Sequence, residues 1–253
     1  MKTEIVVKPE FSYLDDFIRQ IPPGFTSLGQ EIYSARNEVR LVNVDGLVLA
    51  IKYFKKMTLA NRYIYAHLRK SKARRAFEHS DMLLNNGITS PKSVAYIDYY
   101  KYGMLYQCYY VSLYSDYSPL EEMLKLPISE SEPGLKAFAR FIYRVHKIGI
   151  FHNDLTLTNI LYSNKDGVYD FSLIDNNRIK LHRYSFKRGM NNLKRLNLSV
   201  EWHGIIAAEY AQMSDTNDLQ TLMAMVFFRQ YFLARISLKR WIKFPLKILL
   251  KKR

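Results

Sequence analysis

The chain has 253 residues, of which 38 are Lys or Arg and 23 are Asp or Glu, for a formal charge of +15 at neutral pH. Hydrophobic residues make up 48%, ample material for a core, which excludes a disordered chain. Ten Gly and eight Pro exclude collagen-like and low-complexity readings, and the single cysteine, Cys108, excludes an intrachain disulfide framework.

The length suits one two-lobed domain or two small ones. Residues 1–18 carry Glu4, Glu10, Asp15 and Asp16 and lack the apolar core of a secretory signal, so the expectation is a chain that stays in the cytosol. No uninterrupted apolar run approaches the roughly 18–20 residues of a membrane-spanning helix. The surplus positive charge then asks for an anionic partner: nucleic acid, a lipid surface or a phosphorylated substrate.

In chain order, the first strands expected are Arg40 to Val44 and Leu47 to Phe54, two β-branched or aromatic runs around Asp45-Gly46, a hairpin turn signal. Leu59 to Asn86 contains no Gly or Pro and reads as one helix, stopped at Asn85-Asn86-Gly87. Val94 to Leu113 reads as two strands joined at Lys101-Tyr102-Gly103, and its many tyrosines read as sheet packing. The apolar residues of Leu135 to Lys147 recur at helical spacing, and Gly149 ends that helix. Short strands are expected at Ile150-Phe151, at Asn159 to Tyr162 and at Val168 to Ile174, with a turn at Asn164 to Gly167. From about Ser185 onward the chain reads as helical. The expected boundary lies near residues 115–119, giving an N-terminal lobe of antiparallel sheet plus one helix over 1–114 and a mostly helical lobe over 115–253.

The strongest chemical signal is Phe151-His152-Asn153-Asp154-Leu155-Thr156-Leu157-Thr158-Asn159, of the form H-x-D-L-x-x-x-N. Downstream, the apolar strand Phe171 to Ile174 ends in Asp175. Upstream, Leu49-Ala50-Ile51-Lys52 matches the strand that supplies a phosphate-binding lysine. In this order the three resemble the protein-kinase-like fold. Phosphoryl transfer needs positioning and charge neutralisation, which explains the residue types. The resemblance implies that Asp154 orients an acceptor hydroxyl and takes its proton. It implies that Asn159 and Asp175 hold Mg²⁺ by oxygen ligands, and that Lys52 pairs with the phosphates of ATP. Glu78 is the candidate carboxylate orienting Lys52, with Asp81 on the same helix as its rival, and His152 reads as a loop-packing residue. Taken singly, each has a plainer reading: Asp154 and Asn159 as turn residues, Lys52 as an exposed strand residue, Glu78 as a solvated helix residue.

The departures narrow the reading. No G-x-G-x-x-G precedes Lys52, and the corresponding turn is Tyr33 to Asn37, near Gly29. Asp175 is followed by Asn-Asn, Asn153 stands in place of an arginine, Thr156 in place of a lysine, and no A-P-E follows. The stretches Arg36 to Arg40, Ala50 to Lys52, His152 to Leu155, Asn159 to Leu161 and Leu173 to Arg178 resemble the bacterial lipopolysaccharide kinase family, over roughly Gly29 to Leu198. That resemblance implies transfer of phosphate to a Kdo or heptose hydroxyl of the lipid A-linked core oligosaccharide, at the cytoplasmic face of the inner membrane. The alternatives are a kinase of another acceptor, small molecule or protein, and a non-catalytic pseudokinase or membrane scaffold.

The charge pattern bears on the same question. No acid lies between Asp175 and Glu201, where Arg178, Lys180, Arg183, Lys187, Arg188, Lys194 and Arg195 fall. That run is expected on the acceptor side. No acid follows Asp218 either, and the tail interleaves Arg235, Lys239, Arg240 and later lysines with Phe232, Leu238, Trp241 and Ile242. Such a basic amphipathic helix suits an anionic membrane surface, with a break or kink expected at Pro245. The plainer reading is a final helix docked on the core. No zinc-finger, RNA-recognition or helix-turn-helix signature is present, so nucleic acid is not expected as a partner.

Overall fold

The computed structural model describes residues 2–251, with side chains described through residue 242. The chain packs as two compact units, Met1–Tyr117 with Ser172–Arg178, and Ser118–Phe171 with Ile179–Arg253.

The first unit is built on six antiparallel strands and three helices. These are β1 (Lys2–Val7), α1 (Asp15–Gly24), β2 (Gln30–Ser34), β3 (Glu38–Val44), β4 (Leu47–Tyr53), α2 (Leu59–His67), α3 (Lys72–Asn85), β5 (Ser93–Lys101) and β6 (Met104–Leu113). The strand order is β1-β5-β6-β4-β3-β2. Asp45 and Gly46 both adopt positive φ, 49° and 79°, the geometry that lets a two-residue turn follow the strand twist. Tyr102 and Gly103 do the same between β5 and β6. Gly29 enters β2 at φ 41°, where a Cβ would collide with the carbonyl oxygen of Leu41, so only glycine fits.

Side-chain alternation splits this sheet into two faces. Leu49, Ile51, Ala95, Ile97, Tyr109 and Val111 pack against Leu14, Ile18, Ile21 and Phe25 of the α1 region. Phe54, Tyr96, Leu105 and Cys108 pack against Ala73 and Phe77 of α3. Each fully buried Leu or Ile is worth roughly 1.5–3 kcal/mol over leaving it exposed. Tyr53 and Tyr109 stack with centroids 4.7 Å apart, and Phe25 packs against both rings.

The one helix expected over 59–86 is two. Ser71 caps α3, its hydroxyl accepting from the Arg74 N–H at 2.9 Å, and residues 68–71 leave the helical path. Strand β1 was not expected. It pairs with β5 along its full length, placing Glu4 opposite Asp98.

The second unit comprises β7 (Ser118–Pro119), α4 (Leu120–Met123), α5 (Ile128–Lys147), β8 (Ile150–His152), β9 (Ile160–Lys165), β10 (Val168–Leu173), β11 (Ile179–Leu181), α6 (Phe186–Leu193), α7 (Val200–Ser214) and α8 (Asp218–Lys251). Strand β10 runs on into the segment counted with the first unit. Helix α5 buries Leu135, Phe138, Ala139, Ile142 and Val145, the residues its periodicity singles out, and starts earlier than expected. Helix α8 continues through Pro245, so the expected break does not end it. The tail side chains from residue 243 onward lie outside those described. Among the described residues, no helix is long and apolar enough to cross a membrane.

Candidate active site

Alternation along β4 decides where Lys52 points. Leu49 and Ile51 are buried toward α1, so Lys52 takes the opposite face, the one covered by α3. Its Nζ lies 2.7 Å from Oδ1 of Asp175 and 5.5 Å from the centre of the Phe54 ring. Two of the residues expected to act together are therefore paired within the first unit.

Asp175 follows β10 with φ 58°, a left-handed conformation that Asp tolerates better than most residues. Its neighbours hold it there. Asn176 donates from Nδ2 to the Leu173 carbonyl at 3.1 Å and to Ser90 Oγ at 2.8 Å. Asn177 donates from Nδ2 to Asp175 Oδ1. From α3, Arg75 donates to the Asn177 carbonyl at 2.8 Å, and His79 Nδ1 bonds the Asn176 carbonyl at 2.7 Å. The Asp-Asn-Asn wording thus has a structural purpose: both amides tie down the turn that presents the carboxylate.

The expected Lys52–Glu78 pair does not form. Glu78 bonds Lys70 at 2.8 Å and Arg74 at 3.0 Å, and those two cations hold its carboxyl below the usual range although burial opposes them. The rival Asp81 pairs with Lys8 at 2.5 Å. Helical phase is the reason. At 3.6 residues per turn, Lys72, Arg75 and His79 share one face of α3, while Arg74, Glu78 and Asp81 share another.

In the second unit the segment between β8 and β9 carries Asp154 and Asn159. Leu155 and Leu157 anchor it in the core. The buried His152 ring accepts the Asp154 N–H at Nδ1, 3.3 Å, which makes it a loop-packing residue. Asn159 donates from Nδ2 to the Asp154 carbonyl at 2.8 Å. A buried chain of hydrogen bonds supports this loop. His146 bonds Tyr210 Oη and Asn192 Oδ1, each at 3.0 Å, and Asn192 Nδ2 donates to the His152 carbonyl at 3.0 Å. Because Asn192 Oδ1 accepts, the imidazole carries its proton on Nε2 and Tyr210 donates to Nδ1.

Asp154 has a partner that sequence reasoning placed only within a basic run. Arg195 Nη1 lies 3.1 Å from Asp154 Oδ1, and its guanidinium stacks 5.0 Å from the centre of the Phe232 ring on α8. Arg195 also lines a cavity of about 760 Å³, together with Lys187, Arg188, Lys194, Arg235 and Lys239, with Phe232 on one wall and no acidic residue among its lining. Burial, then the charges of Arg195 and Arg235, push the Lys194 ammonium down from its usual range.

Residues 35–224 match the model of the lipopolysaccharide kinase (Kdo/WaaP) family. The chain belongs to that family. Two solved structures carry the same protein-kinase-like fold. WaaP in complex with acyl carrier protein aligns with a TM-score of 0.63 at 14% identity, covering 92% of this chain and 98% of that one. The Rio2 kinase of Chaetomium thermophilum, in an ADP/Mg²⁺-phosphoaspartate complex, aligns at 0.50 and 14% identity, covering 87% and 71%. No curated protein matches the chain by sequence.

Family membership makes the chain a kinase, and the donor set fits the nucleotide and metal such an enzyme uses. Mg²⁺ takes hard oxygen ligands and needs only one or two from the protein alongside phosphate oxygens. Within the first unit, Asp175 has a carboxylate of that chemical type. The ammonium of Lys52 lies 2.7 Å from that carboxylate.

Proposed function

We propose that the protein transfers phosphate from ATP to a hydroxyl of a Kdo or heptose sugar in the lipid A-linked core of lipopolysaccharide. Asp154 orients that hydroxyl and accepts its proton, while Arg195 and the Asn159 amide fix the carboxylate and the loop. Lys52 binds α- and β-phosphate oxygens, and Asp175 and Asn159 hold Mg²⁺. The metal ion, when bound, neutralises phosphate charge as it develops.

The observation that carries the acceptor assignment is the acid-free cationic cavity joined to Asp154 through Arg195. A neutral acceptor has no need of six cations. A sugar bearing a carboxylate, as Kdo does, or a neighbouring phosphate supplies the matching charge, and guanidinium forks bind both in bidentate fashion. The feature that supports a membrane reading is α8, where Leu238, Trp241 and Ile242 are exposed beside Lys239 and Arg240. We place the enzyme on the cytoplasmic face of the inner membrane, where its acceptor is made.

Mass spectrometry of lipid A-core from cells with and without the protein tests this. The expected result is a mass difference of one phosphate on an inner-core sugar. Identical spectra, together with transfer of labelled phosphate to a neutral small molecule in an acceptor panel, would refute the assignment.

A further inference from the structure

The first unit contains a lysine whose position is costly unless it has an anionic ligand. Lys72 opens α3, where the helix dipole is positive and a cation is disfavoured. It is half-buried, and burial, then the charges of Arg36, Arg178 and Arg75, push its ammonium down from the usual lysine range. Its Nζ sits 5.6 Å from the centre of the Phe54 ring, the same ring that Lys52 approaches at 5.5 Å. Two ammonium groups thus converge on one buried phenyl ring.

The neighbouring cations make the contrast. Lys8 pairs with Asp81, Lys52 with Asp175, Lys55 with Glu38, Lys70 with Glu78, and Arg74 with Glu4 and Glu78. Arg75 donates to two backbone carbonyls. Among the described residues no carboxylate pairs with Lys72. A desolvated charge without a counter-ion, beside like charges and at the wrong end of a helix, costs stability in three separate ways.

Arg36 belongs to the tight turn joining β2 to β3, the turn that takes the place of a glycine-rich phosphate loop. That turn brings no run of glycines whose N–H groups would cradle phosphate, so side-chain cations must supply the missing positive charge. We propose that Lys72, together with Arg36 and Lys52, forms a cationic cradle for the polyphosphate of the nucleotide. The inference rests on the reading of the chain as an ATP-dependent kinase. It assigns to the Lys72 face of α3 the task of binding phosphate, where the sequence led us to expect a glutamate that merely orients Lys52.

The experiment is isothermal titration of wild-type protein, Lys72→Met and Lys72→Arg with Mg-ATP, Mg-ADP, adenosine and inorganic phosphate, with thermal unfolding of the ligand-free proteins alongside. Methionine keeps the length and apolar stem of lysine while removing the charge. The expected result for Lys72→Met is a loss of about tenfold or more in Mg-ATP affinity, the scale of one hydrogen bond to a charged group. Adenosine affinity should be unchanged, the ligand-free melting temperature should rise, and Lys72→Arg should restore most of the ATP affinity. The proposal is overturned if Lys72→Met binds Mg-ATP as wild type does, if it loses ATP and adenosine affinity in equal measure, or if inorganic phosphate binds wild type as tightly as Mg-ATP. A wild-type protein that binds no Mg-ATP, with Lys52→Met equally silent, would instead remove the kinase reading itself.

Discussion

Asp154 is held from three directions: His152 takes its N–H, Asn159 takes its carbonyl, and Arg195 faces its carboxylate. A side chain fixed in this way is prepared to position a hydroxyl without rearranging. We predict that Asp154→Ala lowers the transfer rate by about 10²–10⁴-fold, the range of a lost general base, while Mg-ATP affinity stays within about twofold. Single-turnover kinetics with labelled ATP check this, and near-normal turnover in the variant would remove Asp154 from the chemistry. Lys52, Asp154, Asn159 and Asp175 could be singled out in the sequence because each sits in a short, ordered motif. Arg195 could not, since its importance comes from a contact across 41 positions of chain. Glu78 misled because the residue type was right and its helical phase was wrong: it lies on the face of α3 that carries Arg74, away from Arg75 and His79.

Among the elements, the sheet was the most legible. Asp45-Gly46 and Lys101-Tyr102-Gly103 announce their turns by residues that accept positive φ, and both hairpins form there. The Ser71 cap was missed because charged helix formers surround it on both sides. Strands β1 and β11 were missed because pairing partners, rather than their own composition, define them. Helix α8 has a docked part and an exposed part. Its first part docks, burying Thr221 and Met225, while Leu238, Trp241 and Ile242 remain exposed among basic residues. We predict that truncation from Leu238 onward weakens co-sedimentation with anionic vesicles by about tenfold or more, because buried apolar area and charge attraction are lost together. Equal sedimentation of truncated and intact protein would assign that end of the helix another role.

For the molecule as a whole, two buried groups set opposing pH trends. Burial pushes His146 down to about 4, so it must stay neutral in the folded state. Its contribution is complete above the ordinary value of 6.5 and is lost as pH falls toward 4, a change on the order of 3 kcal/mol. Burial pushes Asp98 up to about 7 from 3.8. Its contribution is complete below 3.8 and is lost as pH rises through 7. Between these limits the two largely cancel. We therefore predict that wild-type stability changes less steeply between pH 4.5 and 6.5 than that of a variant lacking the Asp98 carboxyl. Asp98→Asn should show stability rising with pH across that window and should exceed wild type at pH 8. Urea unfolding at a series of pH values measures both, and parallel profiles would contradict the account. Another buried titratable group is Cys108, sealed in the α3 side of the sheet, where burial pushes its thiol far above the usual range. A thiol so enclosed stays protonated and out of reach of alkylating reagents. A Trp241→Cys variant would thus present a lone reactive sulfhydryl to a maleimide dye, and a fluorophore could be attached at the exposed end of α8 without first stripping the native cysteine from the protein.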